Sequence, residues 1–60
     1  SEKWFMSHVM LALTNYRQRE KSKALYILNQ GLKRNPPHFI LSVMQNLMDL
    51  IQEKTIDAGS

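Results

Sequence analysis

Histidine is the side chain best suited to proton transfer and metal binding at neutral pH, and this 60-residue sequence contains two, His8 and His38. A catalytic histidine needs a nucleophile within hydrogen-bond reach and a group that orients its ring. No serine or carboxylate is spaced to serve either histidine, and the sequence has no cysteine to complete a metal site. Both glycines are isolated, so no glycine-rich loop is available to hold phosphate. We therefore predict that the protein is not an enzyme and uses no metal, cofactor or small-molecule substrate.

The second group of candidate residues is basic. The net charge is +3, and most of the lysines and arginines fall in the middle of the chain: Arg17, Arg19, Lys21, Lys23, Lys33 and Arg34. The first four surround a predicted turn, whereas the last two end a predicted helix, whose dipole favours cations there. No aromatic residue is interleaved with these cations to stack nucleic-acid bases. A small nucleic-acid-binding domain that uses Arg17, Arg19, Lys21 and Lys23 is therefore the alternative to the function preferred below.

Apolar periodicity predicts the elements that position these residues, namely helices over residues of about 4–17, 22–34 and 37–54. The first helix carries a predicted apolar stripe, expected to face the core, of Met6, Val9, Met10, Leu13 and Tyr16, and Trp4, Phe5 and Leu11 widen it. The third helix carries an almost continuous apolar seam of Ile40, Val43, Met44, Leu47, Leu50 and Ile51, and Leu41 and Met48 extend it to a second side. No β-type alternation occurs. We predict an all-α fold of three antiparallel helices, in a single small domain over residues 1–60 or in a fragment of a larger protein.

The boundary between the second and third helices is marked by Asn35, Pro36 and Pro37. Proline disfavours the α-conformation in the residue before it, so the second helix should end by Asn35. Because proline suits the first turn of a helix and asparagine suits the position before it, we predict that Asn35 caps the third helix.

Residues 24–36, ALYILNQGLKRNP, resemble the second helix of a tetratricopeptide repeat. Ala24, Leu28, Gly31, Leu32 and Pro36 match the alanine, large apolar, small, leucine and proline positions of that pattern. The resemblance covers about residues 8–36, and the third helix resembles the capping helix of such an array. It implies a helical hairpin that acts as a scaffold for protein interaction. A small residue at position 31 lets the first helix approach closely, so we predict that Gly31 lies in a helix–helix contact.

Apolar residues make up 43% of the chain, and a domain this small buries only a limited share of its surface. We therefore expect more apolar residues than one small core can bury. Exposed apolar patches mark partner sites. We therefore predict a module that binds a partner protein or forms a homo-oligomer through this remaining surface, with six candidate contacts: Trp4, Phe5, Tyr26, Phe39, Leu41 and Met48. No apolar run approaches the roughly 20 residues that span a bilayer, so we expect no membrane association. We expect an intracellular protein, without distinguishing cytoplasm from nucleus.

Overall fold

The computed structural model describes residues 1–53 and shows three α-helices: α1 (Glu2–Arg17), α2 (Lys21–Leu32) and α3 (His38–Ile51). This part of the chain contains no strand, so the predicted all-α fold of three helices is confirmed. The helices begin and end within one to three residues of the predicted positions, and the predicted last residue, Lys54, lies outside the described residues. None of the three helices is long and apolar enough to cross a membrane.

Contacts between opposite helix ends show that neighbouring helices run antiparallel. The Arg34 guanidinium, just after α2, lies over the ring of Trp4 near the start of α1, 4.8 Å from the ring centroid. Lys21, the first residue of α2, pairs with Glu53, just after α3. Each contact joins the start of one helix to the end of its neighbour, as the short connections require.

Asn35 lies in the connection after α2 and does not cap α3, so that prediction is wrong. Asn35 has a φ of +54°, and its N–H donates to the carbonyl of Leu32 at 3.2 Å. The left-handed conformation is one that asparagine tolerates after a helix. Pro37 takes the cap position of α3, and no side chain caps that helix.

Among residues 1–53, nine form the buried core, which receives side chains from all three helices: Phe5, Val9, Ala12, Ala24, Leu28, Ile40, Met44, Leu47 and Ile51. The core face of α1 differs from the prediction, because Met6 and Met10 are 42% and 61% exposed. The helix turns the face with the small residue Ala12 toward the core instead, and a small side chain permits close helix packing.

Gly31 lies in a close helix–helix contact, as predicted. A Cβ atom at this position would lie 2.6 Å from Met44 Cε and 3.8 Å from His8 Cβ. An added Cβ would therefore displace the end of the flexible Met44 side chain of α3, which occupies the space above the α2 backbone. The nearest neighbour belongs to α3, whereas the sequence pattern led us to expect the first helix.

We expect Gly31→Leu to lower the free energy of unfolding by about 1–3 kcal/mol, because leucine overpacks the space that Met44 fills. Urea unfolding at low protein concentration measures this change. Combining Gly31→Leu with Met44→Ala should give a smaller loss than the sum of the two single variants, since the substitutions compete for one volume. Additive losses would show that residue 31 does not press against Met44.

Candidate interaction surfaces

Helix α3 presents a line of apolar side chains to solvent. Phe39, Val43 and Leu50 are 57%, 44% and 58% exposed, and the exposed residue Asn46 lies between them on the same face. These four residues, 39, 43, 46 and 50, are separated by four, three and four positions, and we call them the α3 stripe. Such spacing places side chains in one row along a helix.

The buried face of α3 has the same spacing, displaced by one residue. Ile40, Met44, Leu47 and Ile51 are at most 8% exposed. One residue corresponds to a rotation of about 100° around a helix, so the two rows lie on adjacent faces. α1 and α2 cover the row that contains Met44, and within residues 1–53 nothing covers the α3 stripe. The predicted apolar seam is thus divided between two adjacent faces, and its members Val43 and Leu50 lie outside the core.

The six predicted partner contacts fall into three classes of exposure. Phe39 and Tyr26 are exposed, at 57% and 64%, while Trp4, Leu41 and Met48 are half-buried. Phe5 is only 7% exposed, so its proposed role as a surface contact is wrong. Phe5 belongs to the core, and the ring of Trp4 covers it edge-on with the centroids 5.1 Å apart.

A second apolar patch lies on the outer face of α1. Met6, Met10 and Leu11 are 42%, 61% and 51% exposed, and they line an open hollow together with Lys3, Ser7 and Thr14. This patch lies on a single helix and carries unbranched methionines at its centre. The intervals between its exposed apolar residues are less regular than those of the α3 stripe.

The two histidines lie in different surroundings and do not form a joint site. The ring of His8 packs on Trp4 with 3.8 Å between centroids, and its Nδ1 lies 3.0 Å from the Trp4 carbonyl oxygen, to which Nδ1–H donates. His38 is exposed at the start of α3. Among residues 1–53, no three histidine, aspartate or glutamate side chains are grouped closely enough to hold a metal ion.

The basic residues of the α1–α2 turn surround a hollow of about 430 Å³, which we call the turn hollow. Arg17, Arg19 and Lys21 line it together with Tyr16. Lys23 is not part of this lining and pairs with Glu20 at 3.2 Å. The sequence prediction missed Tyr16, which it assigned to the core of the first helix. Its position next to Arg17, at the end of the predicted helix, could have indicated this role, because a side chain at a helix end can face both the core and the turn.

Lys21 is held by a carboxylate from the other end of the fold. Its Nζ donates to Glu53 Oε2 at 2.5 Å. This hydrogen bond, with the attraction between the two charges, raises the pKa of Lys21 and lowers the pKa of Glu53. Both side chains are exposed, so water and salt screen the pair, and it contributes little to stability.

No protein-family model, no curated protein and no solved structure matches this chain. The resemblance of residues 8–36 to a tetratricopeptide repeat therefore stays a prediction.

Proposed function

We propose that this protein is a non-enzymatic helical module that binds another protein, or a second copy of itself, through apolar surface outside its core. The observation that carries the proposal is the α3 stripe, where Phe39, Val43 and Leu50 remain about half exposed. The proposed tetratricopeptide-like hairpin, with α3 as its capping helix, is consistent with this role.

The ligand that best fits the α3 stripe is another α-helix. Intervals of four and three residues are those of a coiled-coil seam, in which apolar side chains of one helix enter spaces between those of the other. Asn46 occupies one of the four positions, and a polar residue in a seam sets the alignment of the helices at some loss of affinity. Recognition then depends on burial and shape, with Asn46 selecting the register.

A second copy of the chain can supply this helix. In an antiparallel pairing, Phe39 lies opposite Leu50 of the other copy, and Val43 lies opposite Asn46. Burying the exposed halves of three side chains on each copy contributes roughly 5–9 kcal/mol, since full burial of a large apolar side chain is worth about 1.5–3 kcal/mol. Association itself costs at least about 4 kcal/mol. At the favourable end of this range about 4–5 kcal/mol remains, and we expect a weak dimer with a dissociation constant of the order of 1 mM.

Sedimentation equilibrium from about 10 μM to about 2 mM tests this expectation, because the range brackets a dissociation constant of the order of 1 mM. The average mass should rise from that of one chain toward that of two. Added salt should leave the association nearly unchanged, since it buries apolar and not charged surface. A monomer mass at the highest concentration would contradict the second copy as ligand.

A further inference from the structure

The turn hollow has the composition of a ligand site that is separate from the α3 stripe. Three of its four lining residues, Arg17, Arg19 and Lys21, are cations, and the fourth is the aromatic residue Tyr16. All three cations are exposed, whereas Tyr16 is half-buried and packs against the hydrophobic core. The volume of about 430 Å³ lies within the range of small-ligand pockets.

The backbone of the turn fixes the position of Arg19. The Glu20 N–H donates to the Asn15 carbonyl at 2.9 Å, and the Arg19 N–H donates to the Tyr16 carbonyl at 3.0 Å. This pair of hydrogen bonds is the Schellman motif, in which glycine is usual at the left-handed position. Here Arg19 occupies that position with a φ of +63°. The chain thus accepts steric strain that glycine would avoid, and it gains a guanidinium group at the rim of the hollow.

Within residues 1–53, the arginines of the turn hollow are available to an anion. Arg17 and Arg19 form no ion pair in this part of the chain, in contrast to Lys21, which is paired with Glu53. Strained backbone positions concentrate at functional sites, and arginine recognises phosphate through its planar donors. The occupant of the hollow should therefore carry phosphate groups.

We propose that the turn hollow binds single-stranded nucleic acid, with a base stacked on Tyr16 and the flanking phosphates on Arg17 and Arg19. An aromatic face beside a cationic groove is the combination by which proteins hold unpaired bases. An acidic peptide would use the cations alone and would have no use for the ring of Tyr16. The overall charge of +3 also favours a polyanion.

Glu53 competes with this ligand for Lys21. Its carboxylate accepts a hydrogen bond from the Lys21 ammonium group and places a negative charge beside the turn hollow. Glu53→Gln removes that charge without changing the size of the side chain. The affinity for nucleic acid should therefore rise when this substitution is made, whereas most surface substitutions at a binding site lower affinity.

Fluorescence anisotropy with a labelled single-stranded RNA of mixed sequence tests the proposal in the full chain. Two to three phosphate contacts predict an affinity that falls roughly 7- to 18-fold when salt is raised from about 50 mM to about 200 mM. Arg19→Gly should weaken binding several-fold and reduce the salt slope by about 0.7. The same substitution should raise the melting temperature, because glycine relieves the left-handed strain. Tyr16→Phe should bind as the unmodified chain does, and Tyr16→Leu should bind several-fold more weakly.

Two control variants distinguish RNA binding at the turn hollow from general effects of positive charge and of left-handed backbone. Lys3→Ala removes a cation from the outer face of α1, and Asn35→Gly changes the other inter-helix left-handed residue. Both should bind RNA nearly as the unmodified chain does. Equal losses for Lys3→Ala and Arg19→Gly would overturn the proposal in favour of general attraction by net charge. An acidic peptide that competes as well as RNA does, or no RNA binding at about 50 mM salt, would overturn it as well.

None of these variants alters the α3 stripe. A failure to bind RNA would therefore leave the proposal of self-association standing, and a monomeric chain would leave the proposal of RNA binding standing.

Discussion

Met44→Ala is expected to lower the free energy of unfolding by about 2–5 kcal/mol, the usual range for truncating a buried methionine. Met44 is fully buried, and its terminal methyl group fills the space over Gly31. Alanine would leave a cavity where α2 and α3 meet, and the glycine that allows the contact would face empty space. A chain of this length has a total stability of only roughly 3–9 kcal/mol, so one substitution removes a large part of it.

Thermal unfolding followed by circular dichroism measures the loss, and the melting temperature should fall by at least about 8 °C. Met10→Ala is the matched control, since it makes the same chemical change at a site that is 61% exposed. That control should change stability by less than about 0.5 kcal/mol. Equal effects of the two substitutions would show that Met44 is not a core residue.

The combined variant Phe39→Glu and Leu50→Glu is expected to abolish self-association at every accessible concentration. It removes two of the three apolar side chains of the α3 stripe, which are 57% and 58% exposed. In the antiparallel pairing each glutamate would lie opposite another glutamate, so that like charges would repel. The fold should persist, because neither side chain belongs to the buried core.

Tyr26→Glu is the control for this variant. Tyr26 is 64% exposed on α2, and its substitution introduces the same charge away from the α3 stripe. Sedimentation should show unchanged association for Tyr26→Glu and a monomer for the double variant, with equal helix content by circular dichroism. Loss of association in Tyr26→Glu alone would place the interface on α2.

Helix α3 illustrates what periodicity predicts and where it stops. The sequence correctly placed Ile40, Met44, Leu47 and Ile51 in the core, because their spacing is that of one helix face. It included Val43 and Leu50 in the same apolar seam, since a periodic pattern does not distinguish apolar residues on two adjacent faces of a helix. Only the positions of the neighbouring helices decide which face is covered. The surface proposed for binding is therefore the part of α3 that periodicity alone could not assign.

The core face of α1 was predicted less well for a related reason. Large residues such as Met10 dominate an apolar pattern, whereas Ala12 carries little weight in it, although Ala12 is fully buried. Close packing favours small residues at a helix contact, and this preference opposes the size-based pattern. In α2 both criteria agreed better: the spacing predicts a core face of Ala24, Leu25, Leu28, Gly31 and Leu32. Of these, Ala24, Leu28 and Gly31 are buried, and Leu25 and Leu32 are half-buried.

The turn hollow was only half predicted. The basic residues Arg17, Arg19 and Lys21 were identified from charge. Their pattern did not indicate that Arg19 takes a left-handed conformation, since glycine is the usual residue there. That conformation depends on hydrogen bonds to Asn15 and Tyr16 in the last turn of α1. The pairing of Lys21 with Glu53 joins residues 32 positions apart, which no local pattern can reveal.

The most direct test of the α3 stripe as the binding surface is a concentration series of amide spectra from the ¹⁵N-labelled chain. Between about 0.05 mM and about 2 mM, a range chosen around a dissociation constant of the order of 1 mM, the shifts of Phe39, Val43, Asn46 and Leu50 should move together along one binding curve. Amides of the outer face of α1, including those of Met6 and Met10, should stay constant. Shifts confined to α1, or spectra identical at all concentrations, would contradict the proposed function.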